Sequence, residues 1–103
     1  MTEEEKILKL EIFSDVHDPD ILSAYLDLAK AKILVRAYPF RNDVTELPER
    51  YSLLQVEIAN HLIAKRGMEG QTGHNENGID RSYSDADIPA DLLRQIIPEA
   101  KVL

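Results

Sequence analysis

The sequence predicts an all-α fold: a small bundle of about four helices, with a long Gly-rich loop or β-hairpin arm between the last two. Three observations predict it. Apolar residues recur at steps of three and four in successive stretches of this 103-residue chain. Its five prolines fall at the edges of those stretches, where helices begin or stop. All four glycines lie between Gly67 and Gly78, so the helix breakers are gathered in one place.

The first element opens with Thr2-Glu3-Glu4-Glu5. This fits a capping box, in which a threonine hydroxyl and a glutamate three residues on satisfy each other's backbone N–H groups. Leu8 and Ile12 are four apart, and Ile7, Leu10 and Phe13 are three apart. The alternation of Leu8, Leu10 and Ile12 also permits a strand, but an acidic start favours a helix, whose N-terminus attracts anions. Ser14–Asp20 is a break. Asp18 then reads as an N-cap and Pro19 as the first residue of a second helix. Leu22, Leu26, Ala29, Ile33 and Ala37 form one stripe along it, widened by Ile21, Tyr25 and Leu28. Pro39 ends that helix, because the residue before a proline resists helical geometry.

Pro39–Pro48 is a connection, and Pro48 reads as the first residue of a third helix. Tyr51, Leu54, Ile58 and Leu62 make its stripe, broadened by Leu53, Val56, Ala59 and Ile63. Lys65 and Arg66 suit its last turn, and Gly67 is expected to close it in a left-handed cap. Pro89 starts a short fourth helix with an apolar face of Ile88, Leu92, Leu93, Ile96 and Ile97, and Pro98 stops it.

Residues 67–87 form the expected projecting loop or arm, and 98–103 a tail, of a single domain spanning 1–103. A polar segment this long is uncommon in a compact domain, and those that occur are functional or disordered. Asn77-Gly78 is a two-residue hairpin signal. His74–Glu76 and Ile79–Tyr83 could pair across it, and an isolated hairpin needs something packed against it. Ile79 and Tyr83 are the expected anchors on a neighbouring subunit, with Arg81 as a charge partner. A disordered loop is the alternative for a free monomer.

Net charge is −7 and unevenly spread. Residues 1–27 carry eight acids and two bases, residues 28–66 four acids and seven bases, and residues 67–103 seven acids and three bases. Tight nucleic-acid binding requires clustered Lys and Arg, and this balance argues against it. The absence of cysteine excludes disulfides and thiolate chemistry. No apolar run is long enough to span a bilayer, and the acidic start is unlike a signal peptide; the expectation is a soluble protein made in a cytoplasm.

Candidate chemistry is thin. An EF-hand loop with Gly78 at its sixth position would begin at Gly73 and end at Ser84, lacking the acid and the bidentate glutamate that calcium requires. Asp15, His17, Asp18 and Asp20 could approach a metal, but Asp18 is better used as a cap, and no second cluster completes a shell. His17, His61 and His74 are scattered. No nucleophile and base stand at a recognisable spacing, and no glycine pattern resembles a phosphate loop. Catalytic, cofactor and metal sites are all expected to be absent.

The order of features over nearly the whole chain resembles the head–tail connector (adaptor) proteins of long-tailed bacteriophages and prophages. The residues that carry the resemblance are Lys65-Arg66-Gly67, Glu69-Gly70, Gly78, Tyr83, the acidic Asp85-Ala86-Asp87, and Ile88-Pro89 opening the last helix. The lead into "LKLEIF", the acidic turn and the "ILSAYLDLAKAKILVRAY" helix also fit. Asn75-Glu76-Asn77 departs from the Ser-rich stretch more usual there.

The resemblance implies a non-enzymatic structural virion protein. It would assemble as a ring, usually dodecameric, below the portal. It would extend the DNA channel, pass double-stranded DNA without specificity, and present a surface to the stopper or tail-completion protein. The expected location is the virion head–tail junction, after synthesis in the bacterial host cytoplasm, with no membrane partner. Head-to-tail contacts in a ring need two different patches. The expected ones are the arm, with Met68, Glu69, Ile79, Arg81 and Tyr83, and a helical flank near Tyr25, Ile33 and Tyr51. An acidic wall would keep DNA from sticking. Two other readings of the residues are an acidic DNA-mimic inhibitor of a nuclease and a small helical DNA-binding regulator. The first lacks a long enough row of carboxylates, and the second lacks a basic recognition helix.

Overall fold

The computed structural model describes residues 1–72 and 88–99, with the backbone alone over 67–72. Helix α1 spans Glu3–Ser14, α2 Pro19–Ala37, α3 Ser52–Thr72 and α4 Ala90–Leu93. There is no strand among the described residues. The all-α expectation holds there. The expected hairpin falls in 73–87, outside the described residues.

The helix starts follow from local chemistry. Thr2 Oγ1 accepts from the Glu5 amide at 3.1 Å, and the Glu5 carboxylate accepts from the Thr2 amide at 2.8 Å. This is the expected capping box, and it excludes the strand alternative. The α1 helix ends on Asp15 in the left-handed region at φ 59°, with its amide bonded to the Glu11 carbonyl. Aspartate tolerates that conformation better than most residues. Asp18 caps α2 by accepting from the Asp20 amide at 3.0 Å, with Pro19 following as expected.

Four boundaries differ from expectation. Pro48 is not helical: its ψ of 143° is extended, and it caps a 3-10 turn over Glu49–Tyr51 that feeds α3. Pro89 likewise sits at ψ 141° just outside α4. Gly67 does not end α3, which runs through it to Thr72. Glycine costs about 1 kcal/mol in a helix interior, a penalty that weakens a helix without forbidding it. The fourth helix is a single turn. Beyond it, successive i→i+3 bonds from the Gln95 and Ile96 amides lead into extended chain, and Pro98 requires an extended residue before it. In extended chain neighbouring side chains alternate, so Ile96 is buried while Ile97, expected on the apolar face, is exposed.

The core lies among α1, α2 and α3, with α3 touching both of the others and α4. Leu10 enters from α1, Leu22, Leu26, Ala29 and Ile33 from α2, and Leu54, Ile58 and Leu62 from α3. Ile88 and Ile96 close one side. The chain after α4 is strapped across the bundle. The Ile97 amide donates to Tyr51 Oη at 3.0 Å, and the Glu99 amide to the Ala37 carbonyl at 2.7 Å. Arg41 pairs with the Glu99 carboxylate at 3.3 Å.

One polar side chain is locked inside this packing. Gln55 is buried on the face of α3 that meets α2, and its Nε2 donates to the Leu26 carbonyl at 2.8 Å. Its Oε1 has no hydrogen-bond partner among the described residues.

Candidate functional site

The helical flank expected to meet a partner is in the core. Tyr25, Ile33 and Tyr51 are 6%, 0% and 3% exposed, so they offer almost no surface to another chain. The physical reason is in their register: all three step with the stripes that pack α2 on α3. The tyrosines are buried with their hydroxyls satisfied, as buried phenols require. Tyr25 Oη accepts from Arg66 Nη1 at 3.3 Å, and Tyr51 Oη accepts from the Ile97 amide. Of the expected arm, Met68 and Glu69 lie in the last turns of α3, where only the backbone is described. Ile79, Arg81 and Tyr83 lie outside the described residues.

The acidic turn between α1 and α2 has a local electrostatic structure. His17 Nδ1 stands 2.8 Å from Glu11, and its Nε2 stands 3.2 Å from Asp15. The hydrogen bond to Glu11 is the main reason its pKa is raised above the ordinary 6.5, with the charge of Asp15 adding to it. A raised histidine pKa favours the fold below the unfolded value and loses that contribution as pH rises through the folded one. In an NMR titration of the imidazole protons, His17 should titrate above 6.5. Glu11→Gln should bring the midpoint down. An unchanged midpoint would show that the pair does not form. No group of three or more metal-ligating side chains occurs among the described residues.

The remaining candidate surface is apolar. Leu8 is 57% exposed, Ile12 70% and Phe13 50%, all on α1. Val35 on α2 is 70% exposed and borders an open hollow of about 230 Å³ with Leu28, Ala31 and Lys32. Leu53 and Ile97, also exposed, border a second hollow beside Arg50, whose guanidinium stands 4.8 Å from the Tyr51 ring centre. This is a pattern of open contact faces on a small helical body. No described hollow gathers the convergent polar groups of a small-molecule site.

A model of the phage gp6-like head-tail connector protein family matches residues 4–100. The chain belongs to that family. It is therefore a structural connector protein of a bacteriophage virion, of a kind that associates with portal and tail proteins. No curated protein and no solved structure matches it. The connector match runs from α1 through α4 and the strap. No described helix of this connector is long and apolar enough to cross a membrane.

The exposed apolar faces were missed in the sequence because each lies on a helix that also has a core stripe. Part of the signal was available: Ala24, Ala31 and Val35 lie on the side of α2 opposite Leu22, Leu26, Ala29 and Ile33, whereas Leu28, expected to widen the stripe, does pack against the core.

Proposed function

We propose that this connector forms a ring below the portal, joins the DNA-filled head to the tail, and extends the DNA channel. The observation that carries the reading is the family match over residues 4–100. The ring is dodecameric in this reading, its subunits are made in the bacterial cytoplasm, and the assembled protein sits at the head–tail junction. It works by binding alone, without catalysis or cofactor.

Each subunit contacts two neighbours, the portal on one side and the stopper or tail-completion protein on the other. The segment from Met68 to Tyr83 is the proposed reaching element, with Met68, Glu69, Ile79, Arg81 and Tyr83 as its contact residues. A polar, glycine-rich chain that orders on binding has modest affinity per area but can wrap a partner. Repetition around a closed ring makes weak contacts cooperative. The net charge of −7 fits a channel through which DNA slides, since an acidic wall gains nothing from counterion release.

The test is electron microscopy of lysates from phage in which this gene carries an early stop codon. Separate tails, with heads that have lost DNA, are expected. Normally joined particles would remove the connector role.

A further inference from the structure

We propose that residues 94–99 are a latch, which opens and closes as a unit while α1, α2 and α3 stay folded, and that the Tyr51 hydroxyl is its catch. This goes beyond the connector reading and does not rest on it.

The segment has little order of its own. The turn before it, α4, is four residues long and holds no buried residue. A helix this short is not stable in isolation, so docking is what orders it. The docking is apolar at both flanks. Ile88 and Ile96 are in the core, and Leu92 and Leu93 are half-buried against it.

The latch itself is polar. The Ile97 and Glu99 amides, two residues apart, each meet an acceptor from a different element. Ile97 donates to Tyr51 Oη at 3.0 Å, at the entry to α3. Glu99 donates to the carbonyl of Ala37, the last residue of α2, at 2.7 Å. That carbonyl is among the four that a helix leaves unsatisfied at its C-terminus. The Glu99 carboxylate adds Arg41, at 3.3 Å, from the connection between α2 and α3. Residues 94–99 therefore join the end of α2, the start of α3 and the chain between them.

The surroundings of each tie decide which one opens first. The bond from Gln55 Nε2 to the Leu26 carbonyl, which joins α3 to α2, is buried. Breaking it would strand polar groups away from water. The Tyr51–Ile97 bond is only partly buried, and the Arg41 and Glu99 side chains are 47% and 40% exposed. A phenol and a helix-end carbonyl released near the surface take water as their new partner. Segments held by few buried side chains and by hydrogen bonds close to water open at lower free energy than the whole domain. Ile97 and Glu99 are held through one short stretch of chain, so release of either frees the other.

Native-state amide hydrogen exchange on the full chain, read by NMR at several low urea concentrations, tests the latch. In the parent protein the Ile97 and Glu99 amides should share one opening constant. That constant should exceed the one for Ile58 and Ala59, in α3, by at least about tenfold, with a shallower urea dependence. If Ile97 and Glu99 instead share the opening constant and urea slope of the α3 amides, the segment opens only with the bundle and the latch is overturned. Unrelated constants for the two amides would also overturn it, because the segment would not move as a unit.

Tyr51→Phe tests the catch, since it keeps the ring and removes the acceptor. Exchange of both Ile97 and Glu99 should quicken roughly fivefold, as loss of one hydrogen bond implies, with Ile58 and Ala59 unchanged. Quickening of Ile97 alone, or of neither amide, would remove Tyr51 as the catch. Equal quickening of the α3 amides would show that the hydroxyl supports the bundle as a whole, and would overturn the proposal.

Discussion

Replacing Ile58 by alanine should lower the melting temperature by about 15 °C. Ile58 is fully buried on α3, the helix that touches every other helix of the bundle. Truncating such a side chain removes its transfer free energy and leaves a cavity that long helices cannot collapse, at a cost of about 3 kcal/mol. A domain of this size shifts by roughly 4–8 °C for each kcal/mol. Total stability is on the order of 5–15 kcal/mol, so this one change removes a large share of it. Leu53, on the same helix but 48% exposed, is the control, and Leu53→Ala should move the melt only slightly. Equal, small shifts for both variants, read by circular dichroism, would show that α3 does not organise the core. The consequence reaches the whole bundle, because α1 and α2 both pack on α3.

The fold was legible where local chemistry decides it. The Thr2–Glu5 box and the Asp18-Pro19 start are interactions between residues a few positions apart, and both formed as read. The stripes of α2 and α3 were also legible, since helical periodicity is a one-dimensional record of burial. What failed had its cause elsewhere in the chain. Gly67 carries a helix penalty of only about 1 kcal/mol, which does not decide where α3 ends. Ile97 was placed on a helical face, but α4 stops after Leu93 and extended geometry turns that residue outward. Tyr25, Ile33 and Tyr51 were expected near a contact flank as well as on the helical stripes, and all three are buried. Their hydroxyl partners, Arg66 and the Ile97 amide, lie 41 and 46 residues away, a pairing no local pattern reveals.

Gln55 carries the same lesson in a polar side chain, and it yields the strongest expected dependence on pH. It lies four residues after Tyr51 and three before Ile58, on the stripe itself, and it is 1% exposed. Its amide donates to the Leu26 carbonyl, while its own oxygen has no partner among the described residues. Gln55→Met removes both the donor and that oxygen in about the same volume, so stability should stay within about 1 kcal/mol of the parent. Gln55→Glu should behave quite differently. At neutral pH a carboxylate would replace the donor, buried and facing a carbonyl, at a cost of about 3 kcal/mol or more.

Burial raises a carboxyl pKa, because it disfavours the charged form. Folding of Gln55→Glu is then favoured by protonation. Its deficit should be least below the ordinary glutamic acid value of about 4.3 and should grow as pH rises toward the folded pKa. When protonated, its O–H can donate to the Leu26 carbonyl in place of the lost amide. The measurement is urea unfolding of the parent and both variants across that range. A Gln55→Glu deficit that stays constant with pH would mean the side chain has swung to solvent. The Gln55–Leu26 bond would then be dispensable to the register of α2 on α3.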